Sequence, residues 1–330
     1  MSEKNGPGGQ RGAERAGTAM RASVAAKARK NRPEAIRLGA SGVIFHAANT
    51  VILALFMIAV LFPLVSVISR SVSSPSAVLN GRVTFLPVEP TFRTYLYVFR
   101  DRTIATGYRN SLLYMGCGTL LSVILTVFAA YPLSYRNLAG RRPLIFLFTF
   151  TMLFGGGMIP TYLVVRNLEL INTMFALILP NAVIVYNMII ARTFFMNTIP
   201  AELLEAAEID GASDFRTFFG VVLPLSGSII AVLTLFYAVG LWNMYFDALI
   251  YINSQSKYPL QLVLRNIMTS AQYQSQMVEA TGQVSDAEMM AITEALKYAT
   301  IVCASLPVLA LYPFIQKHFT RGIMIGSLKG

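Results

Sequence analysis

The chain has 330 residues, of which 55% are hydrophobic and 13% charged, and its net charge is +11. A soluble domain carries nearer a quarter charged residues, so the composition excludes an ordinary water-soluble globule and makes lipid the solvent for most of the chain. The basic excess does not point to nucleic acid, because many Lys and Arg lie in the first 42 residues and in short segments between apolar runs, where membrane topology puts them.

Residues 1–42 are rich in Gly, Ala, Arg and Lys and poor in large apolar side chains. Such a segment cannot bury a core and is expected to be a disordered basic tail. It is too long for the n-region of a signal peptide, and the apolar run after it is too long for an h-region, so that run reads as a retained span. Residues 43–330 then form one membrane domain. Six stretches reach across about 30 Å of hydrocarbon at about 1.5 Å per residue, namely 43–69, 110–133, 143–165, 170–191, 221–246 and 298–316. None of the six contains Asp, Glu, Lys or Arg. Backbone groups in lipid must be paired within the segment, so each stretch is expected to be helical and the fold all-α with six transmembrane helices. Gly155-Gly156-Gly157 and Pro160 predict a break in the third, tolerable where it packs against protein.

Orientation follows from Lys and Arg. With the amino terminus inside, most of the 27 basic residues fall on the inner side, led by the tail and the compact Arg136, Arg141, Arg142 loop. Six spans return the carboxyl terminus to the same side. The outer loops 70–109 and 247–297 also carry basic residues, as solvated loops or as a match to an acidic sugar or docking face. Trp242, Tyr245 and Tyr251 cluster where the fifth span should leave the membrane, as in an aromatic belt.

On this topology the loop 197–224 is cytoplasmic. Pro200 suits the first turn of a helix, and Ala201 to Ile209 are mostly good helix formers. Glu202, Glu205 and Glu208 form an acidic stripe at i, i+3, i+6, while Leu203, Ala206, Ala207 and Asp210 occupy other faces. Gly211 should end the helix at φ > 0, and Ser213 can cap a second short turn leading to Phe215, Phe218 and Phe219. Leu223-Pro224 marks the return to the membrane. Small side chains at Ala206 and Ala207 permit close approach of a partner.

The order Glu205-Ala206-Ala207, Gly211, then Val221 and Leu223-Pro224 resembles the coupling loop of permease subunits in bacterial ABC importers, with Val221 where that family usually has Ile. Further stretches are similar to its carbohydrate-uptake, maltose-permease-like branch: Ile199-Pro200-Ala201-Glu202-Leu203-Leu204-Glu205-Ala206-Ala207-Glu208-Ile209-Asp210-Gly211-Ala212, Leu241-Trp242-Asn243 followed by Tyr258-Pro259-Leu260-Gln261-Leu262, and Phe319-Thr320-Arg321-Gly322 with Gly326 and Lys329-Gly330 after it. The Phe154-Gly155-Gly156-Gly157-Met158-Ile159-Pro160-Thr161 segment resembles a subgroup linked to oligosaccharides, including polyuronide fragments. The resemblance implies a bacterial inner-membrane permease subunit that imports a sugar. It implies as partners a second, homologous permease, a cytoplasmic ATPase pair docked on the coupling loops, and an extracytoplasmic solute-binding protein. The residues that would couple to the ATPase are Glu205, Ala206, Ala207, Asp210, Gly211, Leu223 and Pro224. A permease for an amino acid, phosphate or a peptide is the alternative within the same family.

A sugar path needs polar and aromatic side chains inside the bundle. The candidates are Asn181, Tyr186, Asn187, Trp242, Asn243 and Asp247. Each has a plainer reading: an interhelical hydrogen bond for Asn187, an interface anchor for Trp242, water access for Asp247. No G-x-x-x-x-G-K-[ST] occurs, so ATP and its Mg²⁺ belong to the partner and no cofactor is expected on this chain. The two histidines, His46 and His318, lie at opposite ends, which leaves no Ser-His-Asp set and no H-E-x-x-H. A membrane enzyme using Glu202, Glu205 and Glu208 as metal ligands would have three carboxylates without a histidine, a poor site. Neither catalysis nor a metal is expected. Cys117 and Cys303 both fall in apolar runs and imply no disulfide framework.

Overall fold

The computed structural model describes residues 40–281 and 287–327, and among them all regular structure is helical. The basic tail expected over 1–42 lies outside the described residues up to position 39, as do Lys329 and Gly330. The chain divides into two units, Met1–Leu61 and Phe62–Gly330, and the first helix, α1 (Ala40–Ser71), begins in the first. Within the first unit its side chains are mainly apolar and exposed, and Thr50 Oγ1 donates back to the His46 carbonyl at 2.8 Å.

The second unit is built around α4 (Arg102–Ser134), which follows two short helices, α2 (Pro75–Leu79) and α3 (Arg93–Arg100). Its 33 residues extend about 50 Å, well beyond a hydrocarbon core of about 30 Å. Asp101 caps its start, with Oδ1 accepting from Thr103 N at 2.7 Å and Ile104 N at 3.3 Å. After it come α5 (Arg141–Leu153), α6 (Met158–Asn167), α7 (Phe175–Ile178) and α8 (Val185–Thr198). The chain then passes through α9 (Ala201–Ile209), α10 (Asp214–Thr217) and α11 (Leu223–Leu225) into α12 (Gly227–Trp242) and α13 (Phe246–Tyr251). It ends in α14 (Leu260–Thr281) and α15 (Ala287–Ser327).

Three single helical stretches are apolar and long enough to cross a membrane: Ile44–Ser71, Arg102–Ser134 and Met290–Ala310. Three more candidates are bent pairs: Arg141–Leu153 with Met158–Asn167 at 112°, Phe175–Asn181 with Val185–Thr198 at 52°, and Asp214–Leu225 with Gly227–Trp242 at 78°. Six apolar stretches therefore map onto six candidate spans only if each bent pair counts as one. Hydropathy located the apolar mass but not its direction, because a bend depends on which group takes the backbone N–H and C=O that the break releases.

Each break has a local cause. Gly157, at φ +86°, opens the first, beyond the sequence expectation of a local interruption, and the backbone around it is exposed. In the second, Pro180 sits in a 3₁₀ turn and Ile184 is extended, with its N–H donated to the Tyr237 hydroxyl at 3.1 Å. In the third, Ser226 donates its hydroxyl to the Val222 carbonyl at 2.6 Å, just after a π-helical turn over Phe218–Val222.

Helix α4 packs against α8 and α12. Gly118 permits the approach to α12: a Cβ there would sit 2.7 Å from Leu241 Cδ1. The largest apolar core joins Val127 and Tyr131 of α4, Met188 and Phe195 of α8, Leu233 and Tyr237 of α12, and Phe218 and Val222 of the π-helical turn.

Candidate functional site

The loop 197–224 folds as a helical elbow. Helix α9 starts one residue later than the sequence indicated, with Pro200 as its N-cap at ψ 136° and not within the first turn. It carries three parallel stripes. Glu202, Glu205 and Glu208 are exposed; Leu203, Ala206 and Ile209 are also exposed; Leu204 and Ala207 turn inward, and Leu204 packs on the main core. Asp210 follows as C-cap. Gly211 takes φ +70°, its N–H bonding to Glu208 O at 3.0 Å while Ala212 N bonds to Ala207 O at 2.9 Å. Together these are the paired bonds of a Schellman stop, which satisfies carbonyls the helix end would leave open.

Ser213 Oγ accepts from Arg216 N at 3.4 Å and caps α10. The second arm then buries Phe218 against Tyr131 (4.9 Å between centroids) and Phe128 (5.2 Å), and Tyr131 meets Phe195 at 5.9 Å. The elbow is thus rooted in α4 and α8 by interlocked aromatic rings. Leu223 is half-buried against the same core, and Pro224 is exposed just before the 78° bend. At the tip, Ile209 is 85% exposed and Phe215 70% exposed, large apolar side chains on a segment otherwise clothed in carboxylates. The sequence named Phe215 only as part of the run after Ser213 and gave Ile209 no role, since helical spacing marks stripes without saying which is left uncovered.

A second feature is a groove of about 280 Å³ where α12, α13 and the break in the fourth span meet. Asn181, Asn243 and Asp247 all line it, with Tyr237, Tyr245 and Phe246. Asn181 Nδ2 donates to Asp247 Oδ2 at 3.0 Å, and Asn243 Nδ2 donates to Val239 O at 2.9 Å. Burial pushes the Asp247 carboxyl above its usual range, and the bond from Asn181 partly opposes this. The remaining three candidates lie elsewhere. Asn187 is 3% exposed, within the packing of α8. Tyr186 is exposed and does not line the groove. Trp242 is 1% exposed, donates Nε1–H to Ala304 O at 3.0 Å and meets Tyr108 edge-on at 5.6 Å.

The aromatic belt expected from Trp242, Tyr245 and Tyr251 is therefore not formed. Trp242 and Tyr251 are buried, because α12 and α13 turn their aromatic faces onto neighbouring helices, and Tyr245 alone of the three is exposed. Among the described residues, no three His, Cys, Asp or Glu side chains are grouped to hold a metal ion.

The family described as "Binding-protein-dependent transport system inner membrane component" matches residues 43–325. The chain is 42% identical over 279 residues to the polygalacturonan/rhamnogalacturonan transport system permease protein YtcP of Bacillus subtilis, covering 84% of this chain and 96% of that one. It is 40% identical over 292 residues to protein LplC of the same organism, covering 88% and 96%. Its structure resembles a chain from the crystal structure of a bacterial ABC transporter involved in the import of the acidic polysaccharide alginate, with TM-score 0.76, 34% identity and coverage of 85% and 98%. The chain belongs to this family of inner-membrane permease subunits of ABC importers, which work with a solute-binding protein and a separate ATPase and are not themselves enzymes.

Proposed function

We propose that the chain conducts an oligosaccharide, of the uronic-acid-containing class, across the bacterial inner membrane. The observation that carries this reading is the 42% identity to a polygalacturonan/rhamnogalacturonan permease over nearly that protein's whole length. The likeness to an alginate importer supports the same substrate class.

In this reading both termini face the cytoplasm, and a second, homologous permease completes the path. The exposed backbone break at residues 154–157 supports such a partner, since open backbone groups are costly in hydrocarbon and are tolerated only against protein or a water-filled cavity. The solute-binding protein delivers substrate to the outer loops. The groove lined by Asn181, Asn243 and Asp247 lies on the substrate path. Its amides offer hydrogen bonds to hydroxyls, and Tyr245 and Phe246 offer apolar faces to sugar rings. The Asp247 carboxyl, held by Asn181, offers a further acceptor to sugar hydroxyls.

The power stroke enters through the elbow. ATP and Mg²⁺ are held by two cytoplasmic ATPase subunits, which grip α9 through the Leu203, Ala206, Ile209 stripe and the adjoining carboxylates. Movement of α9 is carried by Leu204 and Phe218 into α4 and α8, so closure of the ATPases reorients the spans. Glu205, Ala206, Ala207, Asp210, Gly211, Leu223 and Pro224 shape that contact and its return to the membrane.

The test is uptake into proteoliposomes holding the complete importer, with oligogalacturonides, neutral maltooligosaccharides, amino acids, phosphate and peptides offered in turn. Saturable, ATP-dependent uptake of oligogalacturonides is expected. Uptake of an amino acid, phosphate or a peptide with no sugar transported would overturn the reading.

A further inference from the structure

At the end of α4 one carbonyl receives two guanidinium groups. Arg141 Nε donates to Leu133 O at 3.0 Å, and Arg192 Nε donates to the same oxygen at 2.9 Å. Leu133 and Arg141 stand at the facing ends of two successive candidate spans, and Arg192 lies within the next, six residues before its end at Thr198. Leu133 is in the last turn of α4, where carbonyls have no intrahelical partner, so part of the arrangement is a helix C-cap by cations. That explains one N–H of each arginine. A guanidinium has five. Arg141 directs another at Met196 Sδ, 3.6 Å away.

Two like charges held side by side on a shared acceptor repel each other, and among the described residues neither arginine meets a carboxylate at ion-pair distance. Both side chains are only half-buried, so the remaining donors are within reach of an outside group. The chemistry of two adjacent guanidinium forks matches a phosphate, which accepts bidentate N–H bonds and neutralises both charges. Immediately along α5 from Arg141 and Arg142 come Leu144, Phe146 and Leu147, all exposed and apolar. An anion that also brings hydrocarbon would fit both parts: phosphate on the guanidiniums, acyl chain along α5.

We propose that Arg141 and Arg192 form a binding site for the headgroup phosphate of an anionic phospholipid, seated at the junction of α4, α5 and α8. The lipid acts as a counterion that lets the two arginines fasten these helices together. The site does not depend on which side of the membrane faces the cytoplasm, nor on the identity of the transported solute.

The experiment is native mass spectrometry of the importer complex released from mild detergent containing equal amounts of phosphatidylglycerol and phosphatidylcholine. The wild type should retain phosphatidylglycerol with a preference of about tenfold, and an Arg141→Gln/Arg192→Gln variant should lose that preference. Arg136→Gln, at an exposed arginine outside the pair, should keep it. Should the double variant fail to assemble, Arg192→Lys keeps the charge but loses the fork and should give a reduced preference. The wild-type comparison stands without any variant. Equal retention of the two lipids by the wild type, or undiminished phosphatidylglycerol on the double variant, overturns the proposal. Displacement of the lipid by millimolar inorganic phosphate would assign the site to a free anion instead. Loss of the ATPase from the double variant with lipid retained would assign the pair to a protein carboxylate.

Discussion

The hydroxyl of Tyr237 accepts the backbone N–H of Ile184 at 3.1 Å. Ile184 stands at the break in the fourth candidate span, where its N–H has no helical partner, and Tyr237 reaches it from α12. The same hydroxyl shares a 2.6 Å hydrogen bond with Thr126 of α4, so one phenol ties three spans at the point where one of them is interrupted. This is how a broken helix persists in an apolar medium: a side chain supplies what the backbone lost.

Tyr237→Phe should therefore destabilise the protein by about 1–3 kcal/mol, because it takes the partner from the buried Thr126 hydroxyl as well as from the part-buried Ile184 N–H. Thermal unfolding of the detergent-solubilised complex measures it. Since Phe keeps the ring packing, an unchanged melting temperature would show that the break does not need the hydroxyl.

Gly211→Ala should weaken the elbow by about 1–2 kcal/mol, because a Cβ is disfavoured at φ +70° even where nothing crowds it. Gly211→Pro should do more, since proline cannot adopt that φ and also removes the N–H given to Glu208. Membrane insertion should survive while substrate-stimulated ATP hydrolysis and uptake are lost. Transport at the wild-type rate in the proline variant would remove the elbow from the coupling route.

Ile209→Asp and Phe215→Asp should leave the chain's own stability within about 0.5 kcal/mol, as both side chains are largely exposed. Co-purification of the ATPase should fall sharply in each. Undiminished ATPase recovery from both variants would mean that the apolar tip is not the contact.

Asp247 predicts a pH dependence. Its folded-state pKa is raised by burial, so the fold favours the protonated form. The penalty is absent below the ordinary carboxylate range and grows as pH rises through the raised value. Asp247→Asn keeps an acceptor for Asn181 and removes the charge, so it should flatten the fall in melting temperature as pH rises above the ordinary carboxylate range. Paired melts across that window check the sign, and identical slopes for wild type and variant would exclude Asp247 as the titrating group.

Much of the elbow was legible from local chemistry. A run of helix formers, a glycine and a serine placed α9, the stop at Gly211 and the cap at Ser213 within a residue, because each is decided by groups a few positions apart. The groove was legible only in part. Asn181 and Asp247 were both candidates, yet 66 positions separate them, and nothing in either segment says that one donates to the other. Trp242 and Asn187 carried the same polar and aromatic signal but turn into helix packing.

Composition and spacing by themselves determined that this is an all-helical membrane chain with six apolar stretches and a polar elbow, since transfer of backbone and side chains into lipid admits little else. The glycines 155–157 announced one break in the sequence; only the tertiary structure decided that two further stretches bend, that the three angles run from 52° to 112°, and that Tyr237 and Ser226 stand at the other two bends. Hydropathy records how much apolar area leaves water. It carries no information on whether a side chain ends against lipid or against another helix, and that choice set which of these residues became groove, core or hinge.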